Sequence, residues 1–493
     1  MQTRQYTHLI SNRETKGSSK TFIVRKSSAD GQPVAEFAEG TVADAQAAIV
    51  AARKAFDAGP WARMSGLERG DFLLQLASKI RQHKERLAVI EAEEVGKPIR
   101  YARSDIEGAA SLTTYAAGLA AQVHGESYAN LGSQKHGYIL REPVGVVGMI
   151  VPWNFPALIL CQKLPFALAA GCSVVIKPSE MTSGTALEIG RLAVEAGIPE
   201  GVINIVTGYG NPVGETFVTS PLVDFVSFTG STVTGRRIIQ NSAETTKRVS
   251  VELGGKAANI VFPDADLDDA IDGALFGIFF NNGECCCSAT RLLVHEDIAP
   301  DFESKLREAA CSLKVGSPLV EETDIGALIH EGHLNKVLRY IESGKREGAE
   351  LLTGGQRESA GVCAQGLFVQ PTIFSGVRPE MEVFRKEIFG PVLSVSRFRT
   401  TEEAITMAND TEYGLANSLW TKNVDTALTV SRELRSGTVW VNTTIDGSPQ
   451  LPFGGYKASG YGREMGNAGL EEFTQIKTVL FHVGKRTPLL AKE

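Results

Sequence analysis

Residues 144–180 read VGVVGMIVPWNFPALILCQKLPFALAAGCSVVIKPSE. Two short runs rich in β-branched residues, VGVVGMIV and CSVVIK, flank an apolar stretch of helical length, the pattern of a strand–helix–strand unit. Downstream the pattern repeats, with a helix over Thr182 to Ala196, VINIV, a short helix, VDFVSF, another helix and RVSVEL. Strands joined by helices of this length cross over right-handed and build a parallel sheet covered on both faces. The stretch predicts a doubly wound α/β lobe.

Working outward, a second series begins after Lys256 with ANIVF, a helix from Asp266, RLLVHE, a helix over Pro300 to Leu313, then VLSVSRF, a helix over 401–409 and TVWVN. It predicts a second α/β lobe. The boundary falls near Gly254-Gly255, where paired glycines between two strands suit a hinge or a close backbone approach. Upstream, 44–58 and 66–94 carry apolar residues three and four apart, so the first third reads as helix-rich. Residues 135–143 and 474–484 are strand-like and belong to neither series. Unpaired edges of that kind often meet another subunit, so they are read as an oligomer-forming arm.

Composition narrows the function classes. A chain of 493 residues with 43% hydrophobic and 22% charged residues is neither disordered nor a small disulfide scaffold. Lys+Arg 50 against Asp+Glu 57, with no dominant basic block, argues against a nucleic-acid partner. The longest apolar stretches are split by Lys163, Pro165 and Gly171 and fall short of the roughly 20 residues of a membrane span. The polar N-terminus lacks the apolar core of a signal peptide. Seven cysteines, three of them adjacent, fit reduced thiols. A cytoplasmic protein without a membrane partner is expected.

Several motifs fall at strand ends. Gly208-Tyr209-Gly210-Asn211-Pro212-Val213-Gly214 is one residue too long in its second gap for G-x-G-x-x-G and is also an ordinary strand-to-helix loop. In FTGSTVTG, Gly230, Ser231 and Gly235 open a helix whose free N–H groups attract an anion, or Ser231 simply caps it. Lys177-Pro178-Ser179-Glu180 ends a strand at the edge where open parallel sheets bind ligands. An acid there can accept ribose hydroxyls and repel a 2′-phosphate, favouring NAD over NADP, with Lys177 pulling the other way. Glu252, in ELGGK, has the room to act as a general base or is a loop charge. Asn154, held between Pro152 and Pro156, is an oxyanion donor or a helix cap. Cys285, Cys286 and Cys287 follow a glycine turn and cannot all point one way, so one can face a cleft as a nucleophile. His330-Glu331-Gly332-His333 is one residue short of the metalloprotease spacing, and no metal is expected.

Taken together and in order, PWNFP, KPSE, FTGS, ELGGK, NNGECCC, EIFGP at 387–391 and PFGGYKASGYGREMG at 452–466 resemble the signature series of the NAD(P)-dependent aldehyde dehydrogenase superfamily, in its hydrolytic branch. The resemblance spans nearly the whole chain. It implies two Rossmann-like parallel-sheet lobes and a small β arm: a cofactor domain over 1–123 and 144–254, a catalytic domain over 255–458, and an oligomerisation arm and tail over 124–143 and 459–493. It implies Cys286 as nucleophile, Glu252 as general base, Asn154 as oxyanion donor, and Lys163 with Glu464 as a deep ion pair, relay or structural. NAD, with NADP as the second choice, would be held by Trp153, Lys177, Ser179, Glu180, Gly210, Gly230, Ser231, Gly235, Leu253, Glu387 and Phe389. The substrate is a small-molecule aldehyde and the assembly a homodimer or homotetramer.

By the same resemblance the aldehyde tunnel is lined by Gly108, Phe155, Leu158, Ile159, Gln162, Phe280, Cys285, Cys287, Ile445, Asp446, Gly447 and Phe453. Asp446 is either a handle for an amino-aldehyde or a solvated loop acid. The rival readings are an enzyme passing its thioester to coenzyme A, against which Glu252 argues, a silent cofactor-binding protein, and ester hydrolysis through the same thiol as a side activity.

Overall fold

A computed structural model describes residues 3–486 and Leu490. Residues 1–2 of the expected cofactor domain and 487–489 and 491–493 of the expected tail lie outside the described residues.

The quoted stretch forms the strand Val146–Ile150, the helix Pro156–Ala170 and the strand Ser173–Lys177. The helix begins with Pro156, whose missing N–H costs nothing there, and ends at Gly171 with φ 100, a left-handed cap that glycine adopts without strain. It is buried almost all round, which is why it shows no polar face. In the eight-stranded sheet Val146–Ile150 lies between Ser173–Lys177 and Phe225–Thr229, and both pairings are parallel. Ile203–Ile205 extends one side and Arg248–Glu252 the other, also in parallel. The chain order therefore reverses at Val146–Ile150, and the crevice outside the carboxyl ends of strands at such a point is where ligands bind. The ends leading there carry Asn154, Lys177, Gly208, Gly230 and Glu252.

A second sheet of seven strands runs Glu350–Thr353, Thr372–Ser375, Val392–Phe398, Arg291–His295, Ala258–Val261, Ala416–Trp420, Thr438–Val441. All its pairings are parallel except that of the edge strand Glu350–Thr353. The third element is the strand Lys135–Pro143, paired antiparallel over its whole length with Thr474–His482 and also with Glu126–Tyr128. The outer strand leaves Ile476, Leu480 and Phe481 exposed.

Three features differ from the sequence reading. The helix-rich first third opens with an unanticipated sheet of Arg4–Tyr6, Pro33–Ala38 and Phe22–Lys26, whose short strands alternate too little to register as a pattern. The helical stretch 66–94 is two helices, Gly66–Gln82 and Lys84–Val95, broken at His83. Residues 459–473, grouped with the tail, sit on the first lobe. Gly460–Tyr461 pairs with the strand Arg248–Glu252, and the helix Gly466–Glu472 packs on Pro156–Ala170.

Candidate active site

The turn 280–288 is built by backbone strain. Asn281 and Asn282 have φ of 51 and 61, a left-handed region that Asn tolerates better than most residues. Gly283 follows at φ 73, and a Cβ there would lie 2.3 Å from the carbonyl carbon of Gly390. The asparagine side chains anchor this shape. Asn282 Nδ2 donates to the carbonyls of Gly96 and Ala327, and its Oδ1 accepts from Gly326 N–H at 2.6 Å. Asn281 Nδ2 donates to the carbonyls of Asn154 and Glu284. These anchors were missed in the sequence, although the pair Asn281-Asn282 before a glycine was a visible turn signal.

The turn presents three sulfurs within 4.8 Å of one another. Cys285 and Cys287 are buried, with their sulfurs 3.4 Å apart, and only Cys286 is partly exposed. The S–H groups of Cys286 and Cys287 hold Cys285 well below the ordinary thiol range by hydrogen bonding to its sulfur. Its hydrogen bonds to Cys285 and Cys287, with burial and the Glu252 carboxylate, hold Cys286 well above it.

Asn154 closes on this turn from the other lobe. Its Nδ2 donates to the Glu284 carbonyl at 3.0 Å and its backbone carbonyl accepts from Asn281. The side chain is buried and fixed, with a second N–H still to give. It makes no capping bond to the helix Pro156–Ala170.

Glu252 is the last residue of its strand, buried, with Oε1 unpartnered. Burial, then the charge of Glu464, pushes its pKa well above the usual carboxylate value, while Lys163 pulls it down. Lys163 and Glu464 form a buried ion pair, with Lys163 Nζ also donating to Ser227 and Glu464 accepting from Thr229. Glu464 and Phe453 exchange both backbone hydrogen bonds, which ties this ion pair to Phe453 of the apolar cluster described below. The glycines after Glu252 allow close approach. A Cβ on Gly254 would lie 2.5 Å from Glu387 Oε2, and one on Gly255 would lie 2.2 Å from the Cys286 carbonyl oxygen.

The residues expected to hold NAD converge on the crevice, and their donor set fits a dinucleotide. Lys177 Nζ, buried, donates to the carbonyls of Pro178 and Gly208 and lies 3.5 Å from the partly exposed Glu180 carboxylate. Ser179 spends its hydroxyl on Met181 N–H. Gly210 is exposed, with nothing within 4 Å of an added Cβ. Gly230 N–H donates to the Glu252 carbonyl, and Ser231 caps the helix Thr232–Ser242 by accepting from Thr234 N–H. Thr232 Oγ1 in that first turn is buried without a partner. Gly235 lets the helix touch Leu253, which a Cβ would meet at 2.4 Å. Glu387 Oε1 accepts from Gly255 N–H, and the Phe389 ring meets Trp153 edge-on at 5.4 Å.

An apolar cluster gathers Phe155, Ile159, Cys285 and Cys287, with Leu158, Phe280, Cys286, Ile445 and Phe453 against it. Val151, Leu415, Ala416 and Trp440 complete it and were not foreseen. Phe280 stacks on Phe155 at 5.7 Å and meets Tyr101 and Phe276 at 4.9 Å each. Gly108 touches this wall through Leu158, and Gln162 is half-buried beside Lys163. Asp446 and Gly447 are exposed, and the Asp446 carboxylate is taken by Thr443 Oγ1 and Gly447 N–H.

The chain matches the model of the aldehyde dehydrogenase family over residues 15–479. It belongs to that family. Betaine aldehyde dehydrogenase of Bacillus subtilis (strain 168) is 44% identical over 448 residues, 91% of each chain. An aldehyde dehydrogenase of Aspergillus niger is 43% identical over 454 residues, 92% of this chain and 90% of the other. Among solved structures, an NAD-dependent aldehyde dehydrogenase from Sinorhizobium meliloti superposes with a TM-score of 0.97 at 47% identity, covering 99% of this chain and 97% of that one. Betaine aldehyde dehydrogenase from Staphylococcus aureus, solved with NAD+, does so at 0.97 and 37%, with coverages of 99% and 97%. The chain is an NAD-dependent dehydrogenase that oxidises an aldehyde to the carboxylic acid. Among the described residues no helix is long and apolar enough to cross a membrane.

Proposed function

We propose that Cys286 is the nucleophile of this oxidation, Glu252 its general base and Asn154 its oxyanion donor. The observation that carries the reading is the meeting of the two lobes on one turn, with Asn154 bonded to the carbonyl before the cysteines and Gly255, three residues past Glu252, packed on the carbonyl of Cys286. Cys286 attacks the aldehyde carbon as the thiolate, the nucleophilic form of the thiol. The oxyanion of the thiohemiacetal accepts the free Asn154 N–H, an interaction stronger in the transition state than in the bound aldehyde. NAD, when bound, supplies the hydride acceptor that allows the thiohemiacetal to become a thioester. Glu252, with its raised pKa, then takes a proton from water, and the hydroxide releases the acid from Cys286. Lys163 and Glu464 set the charge that Glu252 feels.

Lys177, Ser179 and Glu180 would hold the adenosine ribose, with Glu180 favouring NAD over NADP. Gly210, Gly230, Ser231 and Gly235 would let the pyrophosphate approach, and Trp153, Leu253, Glu387 and Phe389 would hold the nicotinamide half. The aromatic wall suits an aldehyde with a flat or ammonium-bearing body, because ring faces stack on rings and attract cations. Relatives named for betaine aldehyde and aminoaldehyde substrates support that range. Domains over 1–123 with 144–254 and over 255–458 would then divide cofactor binding from the nucleophile, and the paired arm strands would join copies into a homodimer or homotetramer. Seven unpaired cysteines support a reducing, cytoplasmic setting.

The test is NADH formation against aliphatic, aromatic and ammonium aldehydes, with Cys286→Ala alongside and the product identified. The reading expects free acid from the native enzyme and no turnover from the variant. Acyl-coenzyme A as the product, or turnover by Cys286→Ala, overturns it.

A further inference from the structure

The run His330-Glu331-Gly332-His333, which this chemistry leaves unused, has a structural assignment of another kind. His330 Nδ1 accepts the backbone N–H of His333 at 3.1 Å and so caps the helix Glu331–Arg346. His333 is buried, and its Nε2 lies 2.6 Å from the Phe389 carbonyl oxygen and 3.6 Å from Glu284 Oε1. Burial pushes its pKa down to about 4, so the ring is neutral at neutral pH. With a carbonyl and a carboxyl group facing Nε2, the single ring proton belongs there.

The residue receiving that proton is strained. Phe389 has φ 63, a left-handed backbone that a bulky side chain keeps only where its surroundings enforce it. Three enclosing contacts are in place. His333 bonds the Phe389 carbonyl, the rings of His333, Trp153 and Phe389 form a triangle of edge-on contacts, and Gly390 leaves no room for a Cβ against Val337 of the same helix. The loop 387–389 is thus clamped to the helix on one side, and on the other Glu387 bonds Gly255 N–H.

We propose that His333 is a positioning residue for the nicotinamide half of NAD: its Nε2–H holds Phe389 in the left-handed backbone and presets the Glu387–Phe389 loop before the cofactor arrives. The inference rests on the reading of Glu387 and Phe389 as the nicotinamide contacts. Without the hydrogen bond, NAD binding must itself order the loop, so affinity falls, whereas a ligand lacking the nicotinamide half is unaffected.

The experiment is calorimetric binding of NAD and of AMP to the enzyme without aldehyde, for wild type, His333→Leu and His333→Gln. One neutral hydrogen bond is worth about three- to tenfold in affinity. His333→Leu is expected to weaken NAD by about that factor and leave AMP unchanged, and His333→Gln, which keeps an N–H donor, to restore most of the NAD affinity. If His333→Leu does not fold, His333→Asn, polar but too short to reach Phe389, carries the same expectation. Unchanged NAD affinity, or equal weakening of NAD and AMP, overturns the inference. Glu387→Gln and Phe389→Ala test the underlying reading separately. If neither weakens NAD, the loop is not the nicotinamide site, whereas if both do and His333→Leu does not, only the role of His333 falls.

Discussion

Replacing Asn154 by Ala should separate rate from stability. In the folded enzyme one N–H of Asn154 Nδ2 goes to the Glu284 carbonyl at 3.0 Å, and the other is free for the oxyanion. Asn281 Nδ2 donates to the same carbonyl, also at 3.0 Å, so the substitution leaves no buried acceptor without a donor. The fold loses one hydrogen bond, about 0.5–1.5 kcal/mol, and a small volume of packing, so Tm should drop by no more than about a few degrees. Losing a donor aimed at the transition-state oxyanion costs about 2.7–4 kcal/mol, roughly 100- to 1000-fold in kcat. Stopped-flow NADH formation and thermal unfolding on the same preparation measure the two effects. The burst itself should slow, because the oxyanion precedes hydride loss. A fall in kcat of less than about tenfold would remove Asn154 from the oxyanion site. A collapse of Tm in step with the rate would show that the side chain serves the fold.

The remaining predictions concern the base and the glycines. Glu252→Gln keeps the thiol chemistry but loses the base, so a burst of NADH should be followed by steady turnover slowed by about 10²- to 10⁴-fold; an unchanged steady rate would mean that another group activates water. Burial and then the charge of Glu464 raise the Glu252 pKa, and removing a negative charge favours the ionised carboxylate. Glu464→Gln should therefore move the acid limb of the kcat–pH profile to lower pH, and an unmoved or upward-shifted limb excludes the coupling. Gly255→Ala places a methyl group 2.2 Å from the Cys286 carbonyl oxygen and should cost activity and Tm together. Gly118→Ala, with nothing within 4 Å on the helix Ile99–Ala120, should keep both and gain up to about 1 kcal/mol of stability. Equal tolerance of the two would refute the packing argument.

Much of this was legible in the chain because the signals are local. Strand runs such as VGVVGMIV and CSVVIK, helix boundaries at Pro156 and Gly171, and the glycines of ELGGK each act over a few residues. The misses share the opposite property. Tyr101, Phe276, Leu415 and Trp440 join the aromatic wall from four separate elements, and no spacing in the sequence links them. Gly460–Tyr461 joins the first sheet from more than two hundred residues beyond its neighbour, in a stretch too short to read as a strand.

The sequence by itself determined the two α/β lobes, the strand ends on which chemistry could sit and, through an ordered set of motifs, the family. How far each of three adjacent cysteines is buried, which acid feels a neighbouring charge, and what the two histidines of HEGH bond to were decided only by tertiary structure. The physical reason is that exposure, hydrogen-bond partners and electrostatic potential belong to the space between elements. Cys286 differs from Cys285 and Cys287 in what surrounds its sulfur, and His333 differs from a surface histidine in the Phe389 carbonyl placed before it.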